Sequence, residues 1–155
     1  MRSQAVVRKV HFEVGPWGAG PDKARELLPF VDGVSLRELV SGFEHVAGYD
    51  LAGRYVGIVL DHFDFGDLAT YLSGQPDSCY WAKHGAIALL GCDCGEVGCW
   101  PFEAHVLTIG DLVIWRDFAQ PHRPKRDYGS FGPFAFRRTQ YEHAVRKAVL
   151  DAGTE

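Results

Sequence analysis

Apolar and polar residues alternate over residues 6–14, where Val10, Phe12 and Val14 share one face, the period-two pattern of a half-buried strand. Gly15, Pro16, Gly18, Gly20 and Pro21 then break the pattern into a loop. Residues 22–28 read as a short helical turn before Pro29, and residues 30–36 as a small hairpin about Asp32-Gly33, a pair that tolerates positive φ. Ser35 and Glu38 have capping-box spacing ahead of Leu39, Val40 and Phe43, so a short helix follows, which Gly42 either ends or weakens. Residues 55–60 form a brief apolar run, and residues 67–74 a short helix stopped by Gly74.

The strongest sheet pattern lies further on. Residues 86–90, 102–109 and 112–118 are rich in β-branched and aromatic side chains and predict a three-stranded antiparallel meander. A cysteine loop joins its first two strands, and Gly110-Asp111 turns the chain into the third. A loop rich in Pro, Gly, Arg and aromatics spans residues 121–133, and Phe134-Ala135-Phe136 adds a brief edge strand. Thr139 and Glu142 repeat the capping-box spacing before an apolar stripe of Tyr141, Val145, Ala148 and Val149, predicting a C-terminal helix that ends before Gly153. The expectation is one α+β domain over residues 1–155, with an antiparallel meander and a C-terminal helix, and no internal repeat.

Composition narrows the class. The chain is 155 residues with 46% hydrophobic and 23% charged residues, which is globular rather than disordered. Aromatics at 13% point to a core or interface built on large planar side chains. The net charge of -4 argues against a general nucleic-acid binder. Between Arg116 and Lys147, however, eight cations face only three carboxylates, so one segment is basic within an acidic chain. That asymmetry either complements the acidic remainder of the same fold or steers an acidic partner. Residues 1–4 show no apolar leader pattern and no run is long enough to span a bilayer, so the expected location is the cytoplasm, with no membrane association. There, reduced or metal-bound thiols are favoured over structural disulfides.

Three of the four cysteines, Cys92, Cys94 and Cys99, fall in residues 91–101 together with Gly91, Gly95 and Gly98. Three nearby soft ligands suit a structural zinc ion, which wants a fourth donor in a closed site; Cys79, His84 and His122 are the candidates. A Cys92–Cys99 bridge is an alternative, and a glycine-rich connection with small half-buried thiols is a third. A thioredoxin-like mechanism has no support, since its Cys-x-x-Cys pair is absent. A second dense cluster spans residues 115–124. As a small enzyme, possible hydrolase chemistry included, it would use His122 to transfer a proton, Asp117 to orient it, and Arg116 or Arg123 to stabilise negative charge. The same residues serve equally as a buried structural polar knot. Motifs for a nucleophile elbow, a phosphate loop, a zinc-protease helix or a dinucleotide site are absent.

Cys92-Asp93-Cys94-Gly95 with Gly98-Cys99-Trp100-Pro101, extended by Trp115, Phe118, Gln120-Pro121-His122-Arg123 and Tyr128 to Phe136, resembles a family of small uncharacterised bacterial proteins. The resemblance covers mainly residues 85–145 and implies a shared fold with no activity to transfer. The leading functional expectation is a noncatalytic interaction or structural module, with a protein partner or a second copy of the chain covering an exposed sheet edge.

Overall fold

The computed structural model describes residues 6–17, 24–63, 66–75, 86–94 and 99–153. In chain order the elements are β1 (Val7–Arg8), β2 (Val10–Pro16), β3 (Arg25–Val31), β4 (Val34–Ser35), α1 (Leu36–Ala47), β5 (Tyr55–Val56), β6 (Ile58–Val59), a 3-10 turn (Leu60–His62), α2 (Leu68–Leu72), β7 (Ala86–Cys92), β8 (Phe102–Ile109), β9 (Leu112–Ala119), β10 (Phe134–Arg137) and α3 (Arg138–Ala152). This is an α+β domain. The meander is β7-β8-β9, antiparallel throughout.

The large sheet has the order β1-β10-β9-β8-β7-β5, and the small one has β2-β3-β4 with β6 also on β3. Each outer strand of the large sheet runs on into the small one. β1 continues into β2 across Lys9, and β5 continues into β6 across Gly57. β2 and β6 both pair with β3, so the path of hydrogen-bonded strands returns to its start. Gly57 permits the second step because a Cβ there would lie 2.3 Å from the Leu27 carbonyl oxygen. Its N–H donates to Glu26 Oε1 at 2.6 Å.

Local chemistry explains the element ends. Asp32 and Gly33 take φ 51° and 83°, giving the tight β3–β4 hairpin. Ser35 Oγ accepts from the Glu38 N–H at 3.0 Å and donates to Glu38 Oε1 at 3.2 Å, capping α1 at the expected pair. α1 passes through Gly42 and ends at Gly48, whose φ of 79° is the left-handed cap. Asp67 caps α2 through the Thr70 N–H at 3.0 Å. The Tyr71 hydroxyl then fills the β7–β8 irregularity, donating to the Ala88 carbonyl at 2.7 Å and accepting its N–H at 2.9 Å.

Three expectations are corrected. Residues 25–28 belong to β3 rather than to a helical turn, and Pro29 is tolerated in mid-strand. Its missing N–H faces away from β2, into the gap between the β4 and β6 pairings. β10 is not an edge, because β1 pairs parallel beyond it. α3 starts at Arg138 with no side-chain cap, so Thr139 and Glu142 form no capping box. The Arg138 N–H is instead taken by the Asp111 carbonyl at 2.7 Å, and Glu142 pairs with Arg138 at 3.0 Å. Starting there lets Gln140 continue the ladder where β10 leaves it. Its side-chain amide accepts the Val10 N–H at 3.0 Å and donates to the Val10 carbonyl at 2.6 Å.

The core is aromatic, as the composition implies. Phe102, Trp115, Phe136 and Tyr141 are fully buried. Phe102, Phe118, Tyr128 and Phe131 meet at ring separations of 5.0 to 5.6 Å, so the loop before β10 is packed by its own aromatics.

Candidate metal centre

Cys92 closes β7, where its ladder partner is Tyr55. Asp93 turns the chain and is held twice by Arg54. Its N–H donates to the Arg54 carbonyl at 3.1 Å, and its Oδ2 accepts from Arg54 Nε at 2.9 Å. Gly53 and Arg54 carry φ of 80° and 73°, and this left-handed curl presents both Arg54 groups to the turn. Cys94 follows, its N–H donating to Cys92 Sγ at 3.4 Å. Cys99 is fixed by its neighbour Trp100, whose indole N–H donates to the Gly53 carbonyl at 2.9 Å.

The outcome is that the Sγ atoms of Cys92, Cys94 and Cys99 all lie within 4.8 Å of one another. None of the three is in a disulfide; Cys92 is half-buried, and Cys94 and Cys99 are exposed. A zinc–thiolate bond of about 2.3 Å in a tetrahedron spaces sulfurs about 3.8 Å apart, so the cluster needs only a small contraction to hold an ion. Partial burial pushes the Cys92 thiol up to about 12; the Cys94 N–H pulls against this, while the neighbouring thiols of Cys94 and Cys99 add to it. A cation among the sulfurs reverses that balance by stabilising thiolates. Of the fourth donors offered by the sequence, Cys79 and His84 lie outside the described residues, and His122 is not part of the group.

The second cluster is spread over the surface rather than buried as a knot. Arg116 and Asp117 line a groove of about 500 Å³ floored by Phe118, Tyr128 and Phe131. His122 and Arg123 line a separate recess beside Tyr49. Asp117 Oδ2 lies 3.4 Å from Arg116 Nε and 3.5 Å from His105 Nδ1, so His105 rather than His122 faces that carboxylate. The β8–β9 register explains this, placing His105 opposite Arg116. Arg123 stacks 4.7 Å over Trp100, and the His122 N–H donates to the buried Gln120 Oε1 at 2.8 Å.

A polar centre that the sequence reading missed lies on the inner side of the cysteine corner. Glu44 is fully buried, yet its carboxylate is saturated with donors. Oε1 accepts from the Gly53 N–H at 2.7 Å; Oε2 accepts from the hydroxyls of Tyr55 at 2.7 Å and Tyr128 at 2.5 Å. Arg126 Nη1 lies 3.3 Å from Oε2, and its Nη2 donates to the carbonyls of Asp50 and Leu51. A signal was present: Glu44 falls four and eight residues after the buried Val40 and Leu36, on the apolar face of α1.

Burial, then the hydrogen bond to Glu44, pushes the Tyr55 phenol far above its ordinary value. Tyr128 is pushed up to about 12, chiefly by burial. The segment Gly53-Arg54-Tyr55 joins the two centres, since Gly53 and Tyr55 serve Glu44 while Arg54 serves Asp93. Compared with protein-family models, with curated proteins and with solved structures, the chain matches none.

Proposed function

We propose that this protein is a noncatalytic cytoplasmic interaction or structural module, and that Cys92, Cys94 and Cys99 hold a structural zinc ion at the β7–β8 corner. The observation that carries the reading is the convergence of three sulfurs within 4.8 Å on a corner braced from both sides. Zinc suits such a donor set, because it favours thiolates and a tetrahedral shell and undergoes no redox change itself. The ion would fasten the end of β7 to the start of β8.

The interaction part of the reading rests on exposed apolar side chains, among them Val6, Val46 and Leu150. A protein partner or a second copy would cover such side chains. No helix among the described residues is long and apolar enough to cross a membrane. The net charge of -4 weighs against nucleic acid as the partner.

Cobalt titration of the reduced protein tests the metal reading. One ion per chain, with a thiolate-to-cobalt charge-transfer band that zinc bleaches, is the expected result, and Cys92→Ser, Cys94→Ser and Cys99→Ser should each abolish it. Absence of the band in the wild-type chain would remove zinc from the proposal. Sedimentation velocity across a concentration series reads self-association directly.

Asp117 favours a second reading. It holds a left-handed φ of 56° beside Arg116 in the large groove, and strained non-glycine backbone gathers at functional sites. In that reading Asp117 and Arg116, with His105 Nδ1 3.5 Å from the Asp117 carboxylate, form a small hydrolytic site, and His122 and Arg123, which line a separate recess, take no part. Asp117→Asn and His105→Ala tested against a panel of ester and phosphoester substrates would decide it, since hydrolysis untouched by both changes ends the reading.

A further inference from the structure

We infer that Cys94 and Cys99 form an oxidation-prone pair that closes to a disulfide and releases the ion held at the corner, leaving Cys92 as a thiol. The inference deepens the zinc reading and rests on it only for the release step. The three thiols are close enough to one another for any pairing, so selectivity must come from access. Cys94 and Cys99 are exposed, whereas Cys92 is half-buried. A disulfide needs a sulfur separation of about 2.05 Å, so two sulfurs already within 4.8 Å close by moving little more than about 1 Å each. Cys94 and Cys99 lie beyond the last rung of β7, where such a movement breaks no ladder hydrogen bond. Oxidation of cysteine is selective in this way, following exposure and thiolate character.

The oxidant is a hydroperoxide, hydrogen peroxide being the simplest. Cys94 Sγ attacks one peroxide oxygen; an S–O bond forms, the O–O bond breaks, and the other oxygen leaves as water with the thiol proton. Cys99 Sγ then attacks the sulfenic sulfur. The S–S bond forms, the S–O bond breaks, and the second oxygen leaves as water. Two thiols and one hydrogen peroxide give one disulfide and two waters; when the sulfurs begin as metal-held thiolates, solvent supplies the two protons. The ion neither gains nor loses electrons. It loses two of its three thiolate donors, and one remaining sulfur does not hold a divalent ion.

The test runs in two arms on the full-length chain. In the first, metal-free reduced protein is treated with one equivalent of hydrogen peroxide, alkylated and mapped by mass spectrometry. The expected product is a Cys94–Cys99 bridge with Cys92 alkylated, retained in Cys92→Ser; in Cys99→Ser a Cys94 sulfenic acid is trapped by a 1,3-dione. A bridge through Cys92 or Cys79, or no bridge, overturns the inference. In the second arm, zinc-loaded protein is oxidised beside a chromophoric chelator, and one zinc should appear per bridge formed. Full zinc retention after the bridge has formed also overturns it. Failure of zinc to load at all would leave the first arm readable, so the two proposals fall separately.

Discussion

Two polar centres share the segment Gly53-Arg54-Tyr55, one behind it and one in front. The carboxylate of Glu44 sits without solvent contact and collects a backbone N–H, two phenols and a guanidinium, so each oxygen has its donors from within the chain. At the cysteine corner three groups of the same kind face one another near the surface. Their sulfurs are soft ligands suited to a cation. A buried charge whose partners are all intramolecular holds the fold together, and removing one partner is costly because the rest are stranded. Glu44 is met by donors from the chain itself, whereas the three sulfurs have the chemistry to ligate a cation.

The comparison breaks most visibly at Glu44. Glu44→Gln leaves a buried guanidinium facing an uncharged amide and should cost about 3–5 kcal/mol in urea unfolding. Loss below about 1 kcal/mol would mean that the knot is dispensable. Removing the ion from the other centre should cost less. With zinc at a hundredfold over its dissociation constant, chelation lowers stability by about 2.7 kcal/mol while circular dichroism stays folded. Outright unfolding on chelation would make the corner as structural as the knot.

Alkaline pH sharpens the contrast at a smaller scale. Tyr128 is pushed up to about 12 in the folded chain, from an ordinary phenol value of about 10. The folded state therefore keeps a proton that the unfolded state gives up. That contribution is complete below about pH 10 and fades as pH rises toward about 12. Phenolate absorbance should rise with unfolding rather than ahead of it, for Tyr128 and for Tyr55 alike. Early titration of these phenols in the folded protein would contradict the knot. The smallest effect belongs to Asp93→Asn. It removes an exposed ion pair with Arg54 and should leave the urea midpoint essentially unchanged, with cobalt still bound.

Local signals were legible because their causes are local. The Asp32-Gly33 turn, the Ser35 cap, the β-branched and aromatic runs of the meander and the stripe of α3 each depend on residues a few positions apart. The cysteine trio was legible for the same reason, its spacing being short enough to bring the sulfurs together. What failed depended on distant partners. Residues 25–28 read as part of a helical turn before Pro29, and only pairing with β2 and β6 makes them strand. The start of α3 was set by the Asp111 carbonyl and by the reach of Gln140 to Val10, not by Thr139. His105 took the place beside Asp117 expected of His122 because strand register, rather than sequence proximity, chose it. Glu44 stood on an apolar face, but nothing nearby announced donors as far along the chain as Arg126 and Tyr128.

The ownership of the Glu44 partners has a consequence for dividing the molecule. A chain cut between Ala47 and Tyr49 gives one fragment the carboxylate and the other all four of its donors, Gly53, Tyr55, Arg126 and Tyr128. Neither piece alone can bury its share without stranding charge or hydroxyl, so fragment complementation at this site would be driven by ionic recognition as much as by apolar contact.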